Sequence, residues 1–197
     1  MCAAAARPMG DWDADCEPPL LSECLRGNHE AWRSLHFRYY PVTIAFLRKF
    51  GVGEADLEDA SQEVFLQMHR YLPRFLGNAE LKTWLYRLCI TQARHLRRRR
   101  RLNEAVRSWF SLRPEAANTS SPEFSEQSAG RRIQVALGAL SEGERLAVVL
   151  YDMEGLDGKQ VAEILRCTQA SLWRRLHYAR KKFVDALEAS AATEELA

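Results

Sequence analysis

The sequence lacks the long apolar runs that would place it in a membrane or a secretory pathway. Nothing in its 197 residues approaches the length of a membrane-spanning helix, and the N-terminal segment has no apolar core of signal-peptide length. Cysteine is also scarce, with five residues and no CxxC pair, which argues against a disulfide framework and against a zinc site. We therefore expect a cytoplasmic protein with no membrane insertion, no bound metal and no other cofactor.

Residue patterns typical of catalysis are absent as well. The chain shows no pair of catalytic carboxylates, no Ser/His/Asp set and no glycine-rich loop that would cradle a phosphate. It also shows no convincing alternation of apolar and polar residues that would indicate a β-strand. These absences predict a protein that is not an enzyme and that folds entirely from α-helices.

What the chain does have is charge, which is strongly segregated although the formal net charge is only +2. Residues 51–63 contain five acids and no Lys or Arg, whereas residues 166–182 contain six bases and no acid. Such separation predicts two different partners, one basic and one anionic. Residues 97–101 are five consecutive arginines, and this run alone is compatible with a solvated helix end, a targeting signal or contact with a polyanion.

Helical periodicity divides the chain into two parts. Apolar residues recur at helical spacing over residues 18–101 and again over residues 131–187. Between them, residues 102–130 are rich in Ser, Ala, Pro and Glu, a composition typical of a flexible linker. We predict an all-α fold of two small helical domains joined by this linker, with a disordered N-terminal segment over residues 1–17 and a C-terminal tail over residues 188–197.

The second domain ends in the layout of a helix-turn-helix. The short helix GKQVAEIL and the turn RCT precede a longer helix that begins near Thr168 and buries the stripe Leu172, Leu176, Ala179 and Phe183. The outer face of the longer helix carries groups that hold phosphates or hydrogen-bond base edges. These residues are Gln169, Ser171, Trp173, Arg174, Arg175, His177, Tyr178 and Lys181. A solvated surface helix is the alternative, but an exposed Trp among arginines favours DNA contact.

Two features of the first domain leave alternatives open. Asp59, Gln62 and Glu63 share one side of a helix. On spacing alone, the two carboxylates are best explained as acids that complement the dipole of the helix N-terminus. The loop LGNAE before Leu81 is either an ordinary connection or a site that presents polar groups to an unstacked base. Trp84, on the following helix, is more often a core residue than a stacking platform.

Taken together, the two halves resemble an RNA polymerase sigma factor of the extracytoplasmic-function (ECF) group of the sigma-70 family. In the first half, DLEDASQEVFLQMHRYLPRFLGNAELKTWLYRL resembles the family's second sigma domain. In the second half, ALGALSEGERLAVVLYDMEGL and VAEILRCTQASLWRRLHYARKK resemble its fourth sigma domain. Two separate matches in the right order are more specific than one helix-turn-helix.

The resemblance implies a role in transcription initiation for each of these surfaces. Asp59, Gln62 and Glu63 would bind a coiled coil of core RNA polymerase, and the helix from Thr168 would place its outer face on the duplex −35 element. The loop and helix after residue 75 would melt promoter DNA and hold the single-stranded −10 element. The residues implied there are Leu76, Gly77, Asn78, Ala79, Glu80, Lys82, Trp84, Arg87, Arg94, Arg97 and Arg98. An anti-sigma factor is the implied regulator.

One residue of the helix-turn-helix departs from the family pattern. Arg166 occupies the turn position where a glycine is usual. Since Arg adopts a positive φ poorly, the sequence predicts a turn that is strained or differently shaped.

Two other functions fit parts of the same pattern. An autonomous helix-turn-helix regulator would bind duplex DNA tightly without polymerase. An all-helical protein that sequesters a regulator would keep its function after charge reversal at Arg174 and Arg175. The exposed Trp173 and the absence of acids over residues 166–182 argue against this last alternative.

Overall fold

The computed structural model describes residues 17–75, 80–109 and 125–195, and every regular element in these ranges is helical. The all-α prediction is therefore confirmed. The α-helices of these ranges are α1 (Glu17–Leu25), α2 (His29–Lys49), α3 (Glu54–Tyr71), α4 (Leu81–Trp109), α5 (Ser125–Gly138), α6 (Glu142–Val148), α7 (Gly158–Leu165) and α8 (Gln169–Glu195). A short 3₁₀ turn (Leu72–Arg74) follows α3, and a π-helical segment (Val149–Met153) extends α6.

Helices α1–α4 pack together as the first domain, because α2, α3 and α4 each turn an apolar side toward the others. On α3, the predicted stripe residues Leu57, Val64 and Met68 are buried, and on α4 so are Leu81 and Leu85. Fully burying one such side chain stabilises a fold by about 1.5–3 kcal/mol. This packing sets which sides of α3 and α4 face solvent, and these are the sides that carry the candidate functional residues.

Helices α5–α8 pack as the second domain, in which α8 contacts both α5 and α6. The Ser141 N–H donates to the Glu144 carboxylate at 3.0 Å, so the capping box predicted at the start of α6 is confirmed. Gly155, with φ of +73°, follows the end of the π-helical segment, close to the predicted helix end. A further capping box, between Asp157 and Gln160, starts α7 and orients the helix-turn-helix.

Both long helices extend beyond the boundaries that composition predicts. Helix α4 continues through residues 102–109, assigned above to the linker, and α8 continues through residues 188–195, assigned to the tail. Lengthening an existing helix adds a hydrogen bond per residue without a new nucleus. Ala and Glu in both segments are also good helix formers. Residues 1–16 and 110–124 lie outside the described residues.

In the turn of the helix-turn-helix, one residue has a left-handed backbone conformation although it is not a glycine. Arg166 ends α7 with φ of 51° and ψ of 49°, and its N–H donates to the Glu163 carbonyl at 3.2 Å. The Cys167 N–H donates to the Ala162 carbonyl at 2.9 Å, which closes the helix C-terminus. Because an L-residue in this region is strained by about 1–2 kcal/mol, the predicted strain is located at Arg166.

Candidate nucleic-acid interface

The outer face of α8 presents the central residues of the predicted duplex-DNA contact to solvent. Thr168 caps the helix by accepting the Ser171 N–H at 3.2 Å. Leu172, Leu176 and Ala179 are buried to 1% exposure or less, which confirms that part of the predicted stripe. The side opposite this stripe carries Arg174, His177, Tyr178 and Lys181, all exposed. These four residues are therefore the outermost groups of the helix.

Trp173 has a packing role as well as an exposed edge. Its side chain is 45% exposed, and its ring lies so close to Gly158 that a Cβ there would come within 2.8 Å of it. Its ring also meets Tyr151 edge-on, with 5.1 Å between centroids, and Arg180 lies over Tyr151 at 5.8 Å. Arg180 in turn pairs with Asp152 at 2.6 Å. This flank of α8 is therefore tied to the rest of the second domain.

The opposite flank of α8 is partly tied in the same way. The Arg175 guanidinium packs on α6, 3.4 Å from where a Cβ of Gly143 would lie. The Thr168 hydroxyl donates to Ser171 Oγ at 2.9 Å, so this serine takes part in capping. Gln169 is exposed in the first turn. The structure thus divides the predicted residues into an exposed central strip and two flanks with structural contacts.

The three residues predicted to bind polymerase share one side of α3. Asp59 and Gln62 are exposed, and Glu63 is half-buried and accepts a hydrogen bond from Gln67 at 3.3 Å. Helix α4, including His95, forms the other wall of a groove of about 550 Å³ beside them. A groove with carboxylates along one wall fits basic side chains of a partner.

The structure describes part of the predicted single-strand site. Leu76, Gly77, Asn78 and Ala79 lie outside the described residues. Glu80 is exposed, and its carbonyl accepts the Trp84 N–H at 3.1 Å. The Trp84 ring is half-buried and packs on Phe75, with 5.1 Å between centroids. Arg98 is exposed further along α4.

Three other cations of this predicted site pair with glutamates of the second domain. Arg87 Nη2 lies 2.7 Å from Glu163 Oε1. Glu142 accepts from two arginines, Arg94 at 2.6 Å and Arg97 at 3.0 Å. Although burial acts to raise it, the hydrogen bonds and charges of Arg94 and Arg97 hold the pKa of Glu142 below its usual value. The α4 side chains that would hold DNA thus face carboxylates instead.

Glu154 pairs with further cations of the first domain. Its carboxylate lies 2.7 Å from Lys49 Nζ and 3.8 Å from Lys82 Nζ, and it accepts a hydrogen bond from the Tyr86 hydroxyl. The Glu154 side chain is only 10% exposed, so these contacts are largely shielded from water. Burial, together with the neighbouring carboxylate, raises the pKa of Tyr86 and keeps its hydroxyl a donor.

The two domains also meet at Phe50 and Gly51. Arg97 lies over the Phe50 ring at 4.2 Å from its centroid and donates to the Phe50 carbonyl. From the second domain, Arg145 Nη1 donates to the same carbonyl at 3.2 Å. Gly51 has φ of +90°, and a Cβ there would overlap the Arg145 guanidinium. A glycine at this position therefore permits both the turn and the close approach of the domains.

Sequence reasoning did not identify Glu142, Glu154 or Glu163. An acid in the first turn of a helix, such as Glu142, is already explained by the helix dipole. The partners of all three glutamates are far away in the chain, so no local spacing signals the pairing. The charge segregation noted in the sequence concerns residues 51–63 and 166–182, which include none of these three glutamates.

The five-arginine run divides among different environments. It lies within α4, which continues to Trp109, so the run is not the end of the helix. Arg97 faces the second domain, whereas Arg100 pairs with Asp56 of α3 and lies against Gly53. Arg98, Arg99 and Arg101 are exposed. The part of the run that is open to a polyanion is thus smaller than the sequence suggests.

The cysteines of the described residues carry no visible site. Cys24, Cys89 and Cys167 are free thiols. Burial raises the pKa of both Cys24 and Cys89, which keeps these thiols protonated and unreactive. Among the described residues, no cluster of His, Cys, Asp and Glu could hold a metal ion, and no helix has the length and apolar character to span a membrane.

Comparison with protein families gives two matches, one for each domain. The family model described as "Sigma-70 region 2" matches residues 35–102, which include the candidate face of α3 and most of α4. The model described as "Sigma-70, region 4" matches residues 130–183, which include the helix-turn-helix. The two matches together span more than half of the chain, in the order predicted from the sequence.

Curated relatives match over most of their length. The chain is 25% identical over 185 residues to the RNA polymerase sigma factor CnrH of Cupriavidus metallidurans, covering 90% of this chain and 97% of that protein. It is 26% identical to the RNA polymerase sigma-H factor of Pseudomonas aeruginosa, covering 86% and 92%. Identity to the ECF RNA polymerase sigma-E factor of Escherichia coli K12 is 26%, covering 82% and 89%.

Solved structures share the fold. CnrH in complex with the cytosolic domain of CnrY superposes with a TM-score of 0.64 at 23% identity, covering 87% of this chain and 96% of that one. The sigma factor RpoE of Bartonella quintana, in complex with the anti-sigma factor NepR, gives a TM-score of 0.63 at 19% identity, covering 79% and 96%. The pairing of two helical domains is therefore shared with these proteins.

Proposed function

Since the chain belongs to the sigma-70 family of RNA polymerase sigma factors and acts in transcription initiation, we propose that it binds core RNA polymerase, recognises promoter DNA and melts the −10 element. The observation that carries this proposal is the presence of both family matches in one chain, each on its own helical domain. The ECF group is the part of the family whose members this chain resembles over nearly their whole length.

The polymerase contact is proposed for the acidic side of α3. Asp59 and Gln62 are exposed and Glu63 lines the adjoining groove, so a basic helical surface of the polymerase would meet carboxylates without first displacing a packed side chain. Surface carboxylates steer and orient a basic partner more than they add affinity. We therefore expect these three residues to set the rate and the orientation of binding, so that their loss reduces the amount of polymerase that is retained.

Promoter contact is proposed for both domains. The exposed strip of α8 would enter the major groove of the −35 element, where Arg174 and Lys181 supply positive charge for phosphates or guanine. The loop at residues 76–80 and helix α4 would hold the −10 strand. Extruding a base costs a few kcal/mol of stacking, so contacts from this site and from polymerase must offset that amount.

A protein regulator is a further part of the proposal. The two similar solved structures are complexes, one with the cytosolic domain of CnrY and one with the anti-sigma factor NepR. By analogy, we infer that an anti-sigma factor controls this protein. Since RNA polymerase acts in the cytoplasm, we also propose that this protein is cytoplasmic.

The polymerase contact is tested by affinity capture of core RNA polymerase with the tagged full-length protein. We expect wild-type protein to retain core enzyme and Asp59→Ala combined with Gln62→Ala to retain much less, with an unchanged circular dichroism spectrum. Asp185→Ala, which removes an exposed charge from α8, is the matched control and should behave as wild type. Failure of the wild-type protein to retain core enzyme would refute the proposal, and tight duplex binding without polymerase would favour an autonomous regulator.

A further inference from the structure

A cavity of about 390 Å³ lies between α4 of the first domain and the C-terminal end of α7 in the second. Its volume falls within the range of about 300–1,000 Å³ that is usual for small-molecule sites. We propose that this cavity binds a nucleotide-sized phosphate ester, whose phosphates contact arginines and whose ring lies on apolar side chains. The inference goes beyond the proposed contacts with polymerase and promoter DNA, and it does not depend on them.

The charged groups around the cavity favour an anion. Three arginines line it, Arg87, Arg94 and Arg166, together with one glutamate, Glu163. Arg87 Nη2 pairs with Glu163 at 2.7 Å, and Arg94 Nε pairs at 2.6 Å with Glu142, which lies outside the lining. Because a guanidinium group has five N–H donors, each of these arginines keeps donors for a ligand. A phosphate can therefore bind without breaking either ion pair.

Arg87 also has a donor that the packing of the protein leaves unused. Its Nε is buried and has no hydrogen-bond partner among the described residues. A buried N–H without an acceptor is unfavourable, because it has lost its contact with water and gained no other. A phosphate oxygen in the cavity would accept this hydrogen bond, whereas a cationic or purely apolar ligand would not.

Arg166 places a third guanidinium group at the cavity at the cost of backbone strain. It has the left-handed conformation, with φ of 51°, and its side chain makes no ion pair with the described residues. A glycine would adopt this turn without strain, but it has no side chain to line the cavity. Strained residues persist where the surrounding structure holds them, and they cluster at ligand sites. Contact with an anion accounts for both the strain and the position of Arg166.

The apolar part of the lining indicates what kind of anion fits. Ile90 of α4 is only 4% exposed, and Ile164 and Leu165 of α7 are half-buried. A ligand made of phosphate alone would leave this apolar surface without a partner. A ligand that also carries a ring, as a nucleotide does, would bury it and gain affinity from that burial. ADP is therefore a suitable probe, and inorganic pyrophosphate, which lacks the ring, is its comparison.

Isothermal titration calorimetry of the full chain with ADP tests the inference. The first variant is Arg166→Gly, and its matched control is Lys159→Ala, which also removes one positive charge from an exposed residue of the α7 region but lies outside the lining. Since glycine relieves the strained turn, weaker binding by Arg166→Gly cannot come from unfolding. The second variant is Arg87→Ala, and its control is Arg101→Ala, an exposed residue of α4 away from the cavity.

We expect wild type and both controls to bind ADP saturably and with equal affinity. The affinity should fall about two- to fivefold in Arg166→Gly, which loses an exposed contact. It should fall about tenfold or more in Arg87→Ala, which loses a partly buried contact. Wild type should bind pyrophosphate more weakly than ADP.

Three results would overturn the inference. They are the absence of saturable ADP binding to wild type, variants that bind ADP as tightly as their controls, and pyrophosphate that binds as tightly as ADP. None of these measurements uses polymerase or DNA, so a failure here is distinct from a failure of core-enzyme capture.

Discussion

Replacing Arg166 by glycine should stabilise the second domain, because this residue holds the left-handed conformation at the turn of the helix-turn-helix. The strain of a non-glycine residue in this conformation is about 1–2 kcal/mol. Glycine also makes the unfolded chain more flexible, which lowers the free energy of unfolding by about 0.4–1 kcal/mol and offsets part of this gain. Since the Arg166 side chain is exposed, little packing is lost. The expected net gain in unfolding free energy is about 0.5–1 kcal/mol.

Differential scanning calorimetry of the full chain measures this gain. For a domain of this size, about 1 kcal/mol corresponds to a rise in Tm of about 4–8 °C, so Arg166→Gly should raise the second-domain transition by several degrees. Arg166→Asn should give a smaller rise, because Asn tolerates this conformation better than Arg. Arg166→Val should lower the transition, since a β-branched residue fits poorly there. If all three variants melt as wild type does, the strain assigned to this turn is absent.

Three further predictions follow from individual contacts. Ser61→Ala should raise the free energy of unfolding, measured by urea titration, by about 1 kcal/mol, because Ser61 Oγ is buried without a hydrogen-bond partner among the described residues. A lower free energy of unfolding in this variant would contradict the prediction. Hydrogen bonds from Lys182 and Ser141 lower the pKa of Glu144 from 4.5 to about 2. A lowered pKa stabilises the fold above the ordinary value, so the stability difference between wild type and Glu144→Gln should narrow as the pH falls below about 4.5, and a constant difference would refute the assignment. Arg174→Ala should remove about one phosphate contact from the complex of the holoenzyme with promoter DNA. The slope of the logarithm of the binding constant against the logarithm of salt concentration, measured by filter binding, should therefore become less steep by about one. An unchanged slope would exclude that contact.

Local pattern was sufficient to predict the helices and the helix-turn-helix. Leu172 and Leu176 recur at helical spacing, and they are buried as that spacing requires. The capping box at Ser141 was predictable because its two partners are three residues apart. Signals of this kind act within one turn of helix, so the sequence alone contains them.

Contacts between distant residues were not predictable in the same way. Trp173 was expected on the exposed face of α8, and it is 45% exposed, but part of its ring also packs against Gly158. Its contact with DNA stays a prediction. Glu142 and Glu163 carried no signal at all, because their partners lie on another domain. The lengths of α4 and α8 were underestimated, since a helix that has already formed extends through further residues without a new nucleus. The contacts of Trp173 and the glutamates arise from tertiary packing, whereas the extra helix length arises from elongation of a helix that has already formed.

Transcription in vitro with purified core RNA polymerase tests the central claim most directly. Transcript starts mapped after overexpression supply the template, and the reaction is run with and without this protein. We predict initiation at one defined start that requires the protein and that is lost in the Asp59→Ala, Gln62→Ala variant. No start that depends on the protein, or an equal start with core polymerase alone, would contradict its assignment as a promoter-specific sigma factor.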